Sequence, residues 1–242
     1  MKIEIDIDEK ITNFKKMIYK AKADIIGLQE NARYIDNDKD FGEYLFNPIY
    51  PKRYGENQCA IVSKYAASEF NNLRLSGSRW IYYATVNVNG KTLLMCSAHT
   101  ISNYNNTGHD SAESISMRNT EYDEIFKWIH GEIQLGVAYN EDVKVSVPDW
   151  DYCVITMDGN TNTDEDKVNL SNYAAARGFT MANGGYLGWL RTVSLGSGTW
   201  GSIDNIIVSP NIVINSVEVY ESMYKELYSD HLPMTADITL LG

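Results

Sequence analysis

The sequence predicts an α+β fold in which two mainly antiparallel or mixed β-sheets pack face to face with helices outside. Three observations carry this. Short apolar runs with the length and β-branched content of buried strands recur along the chain, Ala23-Asp24-Ile25-Ile26-Gly27-Leu28 and Tyr152-Cys153-Val154-Ile155-Thr156 among them. Helical spacing of apolar residues separates them in a few stretches. The runs stop at, or start from, polar groups: Gln29-Glu30, His99, Asp158-Gly159-Asn160, Asp204 and Ser229-Asp230-His231. If the strands belong to one sandwich, these segments bring carboxylates, imidazoles and a carboxamide to one rim, the donor set that a divalent metal and a phosphate group require.

The opening stretch Lys2-Ile3-Glu4-Ile5-Asp6-Ile7-Asp8 reads as a short strand, and residues 9–22 place Ile11, Phe14, Ile18 and Ala21 at helical spacing. The strand ending at Glu30 follows. Residues 31–56, polar, Tyr-rich and punctuated by Pro48 and Pro51, read as an irregular surface loop before a strand over 58–64. Strands near 79–88 and 91–99 flank Asn89-Gly90, a strong hairpin signal. A loop over 100–112 leads to a helix over 113–133 with Ile115, Met117, Tyr122, Ile125, Phe126 and Ile129 inward. Residues 136–150, charged and Pro-interrupted, precede a strand over 152–157, a helix over 165–177 and a Gly- and aromatic-rich loop over 183–201. Strands at 203–208, 212–220 and 234–240 complete the sheets.

Length and a 44% hydrophobic content suffice for a sizeable core, and a single domain over 1–242 is expected. No run approaches the length of a membrane-spanning helix, and the acidic N-terminus lacks the basic region and apolar stretch of a signal peptide. The three cysteines, Cys59, Cys96 and Cys153, sit inside apolar runs and read as small buried hydrophobes. Net charge is −11, with acids spread along the chain. A protein that grips many phosphates does so with Lys and Arg, so this balance predicts weak, salt-sensitive nucleic-acid binding. It leaves phosphodiester chemistry open, because a bound divalent cation supplies positive charge locally.

The polar stations have plain readings as well. Glu30 alone would be a solvated strand-end acid, Asp158 and Asn160 sit in a run rich in turn residues that suits an Asx turn, and Asp-His pairs are ordinarily surface features. Their order and wording weigh against coincidence. Ala23 to Glu30 matches "aDIigLQE", Cys59 to Lys64 matches "gvAILSr", and Ser97-Ala98-His99-Thr100 matches a histidine-bearing strand. Met157-Asp158-Gly159-Asn160 matches "GDFN" with Met for its Gly, Ser202 to Ser209 matches "IDyIfvS", and Ser229-Asp230-His231-Leu232-Pro233 matches "SDHxP". Together these segments resemble the endonuclease/exonuclease/phosphatase superfamily, whose fold is the deoxyribonuclease-I-like four-layer α/β sandwich.

The resemblance implies a metal-dependent phosphoesterase that hydrolyses a phosphodiester, a nucleic acid among the substrates it allows, by in-line attack of water. Glu30 and Asp230 would hold Mg²⁺ or Mn²⁺, hard ions that prefer carboxylate oxygens. Asp158 would orient or deprotonate the water, Asn160 would donate to a phosphate oxygen, and His231 would face the phosphate as an imidazolium supported by Asp204. His99 resembles the second histidine of the deoxyribonuclease branch, which contacts the scissile phosphate or serves as an acid, with Glu56 as its partner. His109 and His130 match no motif and read as structural. One departure concerns the first strand, where the family carries an Asn, as in "tyNi". Either Asp6 or Asp8 stands in for it, or the strand is abbreviated. Two other readings stay open: a phosphomonoesterase acting on a small phosphorylated substrate, and a degenerate member serving as a binding or structural module, which frequent Tyr would suit.

Overall fold

A computed structural model describes residues 7–30, 52–56, 59–196, 199–221 and 229–242. In chain order the elements are α1 (Ile7–Ala21), β1 (Ile25–Gln29), β2 (Lys52–Glu56), β3 (Cys59–Ser63), β4 (Ala67–Arg74), β5 (Trp80–Val88) and β6 (Lys91–His99). Then come α2 (Ala112–Ile129), β7 (Leu135–Val137), β8 (Asn140–Val145), β9 (Tyr152–Asp158), α3 (Asp164–Ala176) and β10 (Thr180–Met181). The chain closes with β11 (Val193–Gly196), β12 (Thr199–Gly201), β13 (Asp204–Val208), β14 (Ile212–Val219) and β15 (Met234–Leu240). An eight-stranded sheet of order β10-β13-β9-β6-β5-β4-β7-β8 is the frame, and β1-β3-β2, β11-β12 and β14-β15 form smaller sheets. Among the described residues only β6 and β9 pair in parallel.

Period-two alternation explains why this sheet is covered on both faces. On β5, Ile81 and Tyr83 point to one side while Tyr82, Ala84 and Val86 point to the other, and on β6 Leu94, Cys96 and Ala98 oppose Leu93 and Met95. The first set packs with Tyr122, Ile125, Phe126 and Ile129 of α2 and with Leu170 and Ala174 of α3. The second packs with Cys59 and Ile61 of β3 and with Ile212 and Ile214 of β14. All three cysteines are free and buried in these two cores. The expected sandwich of packed sheets with helices outside is therefore the observed architecture, with the second layer divided into short sheets.

Local chemistry fixes several elements. Asn89 and Gly90, at φ 54° and 85°, make the left-handed turn that joins β5 to β6 in register. Thr163 and Asp166 form a reciprocal capping box at the start of α3. The two layers approach tightly at Gly27, where an added Cβ would lie 1.7 Å from Thr156 Oγ1. Just beyond, Gln29 Nε2 donates to Ser97 Oγ at 2.9 Å, and Ser97 Oγ donates to the Leu28 carbonyl at 2.9 Å. These contacts seat the end of β1 over β6 and β9, two residues before His99 and Asp158 end their strands.

Four expectations are corrected. Helix α1 already includes Asp8, so this residue belongs to a helix and not to a first strand, while Asp6 lies outside the described residues. Residues 52–56 form strand β2, paired with β3, where a loop was expected. The charged 136–150 stretch contains the β7-β8 hairpin, and the Gly-rich 183–201 stretch contains β11 and β12. Strand β4, exposed along much of its length, has no counterpart among the expected elements.

The Gly27 contact makes a stability prediction. Gly27→Ala should cost about 1–3 kcal/mol, the usual range for overpacking a tight core, measured by urea unfolding. Thr156→Ala in the same chain should return part of that loss; a Gly27→Ala protein as stable as the parent would contradict the close approach of the layers.

Candidate active site

Register places three of the expected residues in one row. The parallel pairing of β6 with β9 sets His99 opposite Asp158, and the antiparallel pairing of β13 with β9 sets Asp204 opposite Asp158. Residues directly opposite one another point to the same face, so the three side chains are neighbours. His231 arrives from another segment, held by an isolated bridge to Val193. Its Nδ1–H donates to both oxygens of Asp204, at 3.0 and 3.1 Å. His231 Nε2 lies 3.9 Å from Asp158 Oδ2, and His99 Nε2 lies 3.4 Å from the same oxygen. Asp158, Asp204 and His231 each offer a ligand atom within 4.8 Å of the others.

Burial and pairing push these groups apart electrostatically. For His231, burial opposes the charged form, but the Asp204 hydrogen bond and the charges of Asp204, Asp158 and Asp230 outweigh it and raise its pKa to about 10. His99 goes the other way: burial dominates, and its pKa falls to about 4 despite the neighbouring Asp158. Asp158 is pushed up, first by burial and then by Asp204, while His99 and His231 pull against the rise. At neutral pH the site thus holds one firm imidazolium, His231, and one neutral imidazole, His99. Among the described residues, His99 Nδ1 and Thr100 Oγ1 are buried without a hydrogen-bond partner.

The chain beyond Asp158 is tightly held. The Asn160 N–H donates to Asp158 Oδ1 at 3.0 Å, forming the Asx turn that the turn-rich wording allowed, and Asn160 adopts φ 46°, which Asn tolerates better than most residues. This left-handed turn, and not strand alternation, sets where Asn160 points. Its Nδ2 donates one hydrogen to the Thr100 carbonyl at 2.8 Å, leaving the amide's second hydrogen available. Tyr122 Oη donates to the Gly159 carbonyl at 2.5 Å, and the Gly159 N–H donates to the Ile203 carbonyl at 2.8 Å. Met157 Cε sits 3.5 Å from where a Gly159 Cβ would be. Met-Asp-Gly-Asn in place of "GDFN" therefore exchanges the small and the large residue across Asp158 while keeping the space filled.

Arg118 ties the two loops bordering the site together. Wholly buried, it donates from Nε and a terminal nitrogen to both oxygens of Asp166, at 2.8 and 2.9 Å, and to the carbonyls of Ser102 and His109, at 2.8 and 2.7 Å. The loop after His99 is thereby bonded to the first turn of the helix after Asn160. Glu121, also buried, accepts from the N–H groups of Ile101 and Gly77, and burial raises its pKa to about 8. The sequence carried a signal for this pair: Arg118 and Glu121 fall on the inward face of α2, where an unpaired charge would be too costly to bury.

The remaining expected residues are placed as follows. Glu30 leaves β1 at the end of the sandwich where His99 and Asp158 lie; its side chain is exposed, at φ 53°, with no hydrogen bond or ion pair among the described residues. Asp230 is exposed beside His231, and its carbonyl accepts from Ser194 N–H at 2.7 Å. Glu56 ends β2, and its proposed pairing with His99 lies outside the described side chains. His109 is exposed in the 100–111 loop, and His130 caps α2 against Trp150 and Phe179; neither joins the cluster.

No family model and no curated protein matches the sequence. Solved structures do match the fold. TDP2 of D. rerio complexed with a single-strand DNA product aligns over 98% of this chain and 94% of its own, with a TM-score of 0.69 at 13% identity. The human Nocturnin catalytic domain with a bound sulfate anion aligns over 98% and 88%, with a TM-score of 0.70 at 13% identity. An endonuclease/exonuclease/phosphatase protein from Bacteroides vulgatus aligns over 96% and 91%, with a TM-score of 0.66 at 18% identity. The chain has the deoxyribonuclease-I-like fold of the endonuclease/exonuclease/phosphatase proteins.

The His231 geometry predicts a pH dependence. A histidine whose folded pKa is raised from 6.5 to about 10 contributes stability that is fully present below pH 6.5 and is lost as pH rises through about 10. Urea unfolding of chelator-treated protein between pH 6.5 and 10 should show this decline, and His231→Gln should abolish it. A parallel decline in both proteins would place the titrating group elsewhere.

Proposed function

We propose that this protein is a divalent-metal-dependent phosphoesterase that hydrolyses a phosphodiester by in-line attack of water. The observation that carries the reading is the row His99-Asp158-Asp204 closed by His231, an imidazolium, a neutral imidazole and two carboxylates at one end of the sheet. His99 and Asp158 are buried and the Asp204–His231 pair is hydrogen-bonded, so these groups cannot reorganise freely, and preorganised charge is usually the largest catalytic term.

Each residue has a role that follows from its state. Asp158, its basicity raised by burial, accepts a proton from the attacking water as the water oxygen bonds to phosphorus and the opposite bond to the leaving oxygen breaks, that oxygen taking a proton from solvent; a general base works best when its pKa lies near the working pH. His231 remains protonated and stabilises negative charge developing on the phosphate oxygens, with Asp204 fixing its ring. His99 is neutral, so it acts as a hydrogen-bonding contact to the phosphate; its low pKa argues against the alternative role of general acid in the free protein. Asn160 directs its second amide hydrogen to a phosphate oxygen.

In this proposal Glu30 and Asp230 hold a hard cation. Asp204 and His231 are committed to each other, whereas these exposed carboxylates have no ion pair among the described residues, and Mg²⁺ or Mn²⁺ takes such oxygens while keeping waters for exchange. When bound, the cation would supply charge neutralisation to the phosphate oxygens. The acidic balance of −11 favours a compact substrate over a long nucleic-acid track, which keeps a small phosphorylated molecule as the second reading.

A panel of plasmid DNA, RNA, a chromogenic phosphodiester and phosphorylated small molecules, each with and without Mg²⁺ or Mn²⁺, tests the proposal. Hydrolysis should stop in excess chelator and return with metal, and Glu30→Gln should raise the metal concentration required. His231→Ala should lower turnover roughly 10²–10³-fold, the size expected for losing a preorganised charge at the phosphate. Activity that persists in chelator would exclude the metal, and a chain inert on the whole panel would favour a binding module.

A further inference from the structure

Among the described residues, the Asp204–His231 pair joins two segments that share no strand pairing, so something else must set its geometry. On its outer side β13 pairs with β10 at Ile207 and Val208, and among the described residues no strand adjoins the main chain at Asp204 on that side. Buried main-chain groups need partners, and here side chains supply them. The Asp204 N–H donates to Thr192 Oγ1 at 3.1 Å, and the Asp204 carbonyl accepts from Asn183 Nδ2 at 2.9 Å. Thr192 Oγ1 also accepts from the Ile203 N–H at 3.0 Å. Asn183 is itself locked by reciprocal amide bonds with Asn205, donating its N–H to Asn205 Oδ1 at 3.1 Å and accepting from Asn205 Nδ2 at 2.7 Å.

Thr192 also reaches the other half of the pair. Its carbonyl accepts from the N–H of Leu232, the residue after His231, at 2.7 Å, and the next residue, Val193, forms the bridge to His231. Thr192 is wholly buried and donates its own N–H to the Gly201 carbonyl at 2.9 Å. One residue thus grips Asp204 through its side chain and the His231 segment through its main chain.

We propose that Thr192 is the positioning residue of the Asp204–His231 pair, its hydroxyl holding Asp204 at the distance at which the carboxylate accepts the imidazolium hydrogen bond. Asn183 supports it by donating to the carbonyl of the same residue. Thr192→Val keeps the shape and the main-chain bonds but removes the acceptor for two buried N–H groups, so it isolates the hydroxyl. Thr192→Ser restores the acceptor.

The test reads the hydrogen bond directly and then, for the part that rests on the phosphoesterase reading, the kinetics. A ring N–H held by a carboxylate gives a far-downfield proton resonance, identified by its absence in His231→Gln. That resonance should appear in the parent and in Thr192→Ser, and should be lost or displaced in Thr192→Val with the circular dichroism spectrum unchanged. In steady state, Thr192→Val should lower kcat by roughly 10²-fold with KM little changed, the cost of a misplaced catalytic group. Added to Asp204→Asn it should cause no further loss, because a residue acting through Asp204 has nothing left to position. An unchanged resonance in Thr192→Val, or losses that multiply in the double variant, would overturn the proposal. If Thr192→Val does not fold, Thr192→Ala replaces it; failure of both to fold would also overturn it, by showing that Thr192 serves the fold as a whole. A parent that shows the resonance but no hydrolysis would remove the phosphoesterase reading and leave the positioning role to be decided by the resonance alone.

Discussion

The parallel pairing of β6 with β9 is the constraint on which the site depends. Parallel neighbours end on the same side, so the polar residues that terminate these two strands, His99 and Asp158, share one rim. Strand β13 runs antiparallel to β9 and therefore begins where β9 ends, which delivers Asp204 to the same place from its first residue. Parallel strands need a long crossover, and here residues 100–151 supply it, including α2, whose inward face carries Arg118. The crossover that makes the pairing possible also carries the group that binds the loop after His99 to the helix after Asn160.

Burial then gives chemically similar residues different states. His99 and His231 are both imidazoles beside Asp158, yet one is driven neutral and the other is held charged. The difference lies in the balance of burial and partner: Asp204 offers two oxygens to His231 and outweighs its burial, whereas burial dominates at His99, whose Nδ1 has no hydrogen bond among the described residues. Pairs of titratable groups pushed apart in this way are what acid–base and charge-stabilising chemistry at neutral pH requires. The phosphoesterase proposal draws on that separation of states as much as on the identity of the residues.

Much of this was legible in the residues, for reasons that are themselves physical. Asn89-Gly90 announced its hairpin because few other residues accept two successive positive φ values, and the apolar runs announced strands because both faces of the large sheet are buried. The polar stations stood out because they interrupt those runs. Strands β4 and β8 did not stand out, since their exposed residues break the apolar pattern while hydrogen bonding from neighbours still holds them extended. Asn160 follows the Asx turn that its turn-rich wording allowed, which takes it out of the strand. Thr192 and Asn183 left no trace in the sequence, because nothing in a Thr or an Asn reveals that a strand edge far along the chain lacks a partner.

The central claim is that one rim binds a divalent cation and a phosphate group together, and crystals soaked with Mn²⁺ and inorganic phosphate test it most directly. The account predicts an anomalous peak ligated by the Glu30 carboxylate, with the phosphate against it and in contact with His231, His99 and Asn160. A rim empty of both at saturating concentrations, or Mn²⁺ bound away from Glu30 with no phosphate at His231, would contradict it.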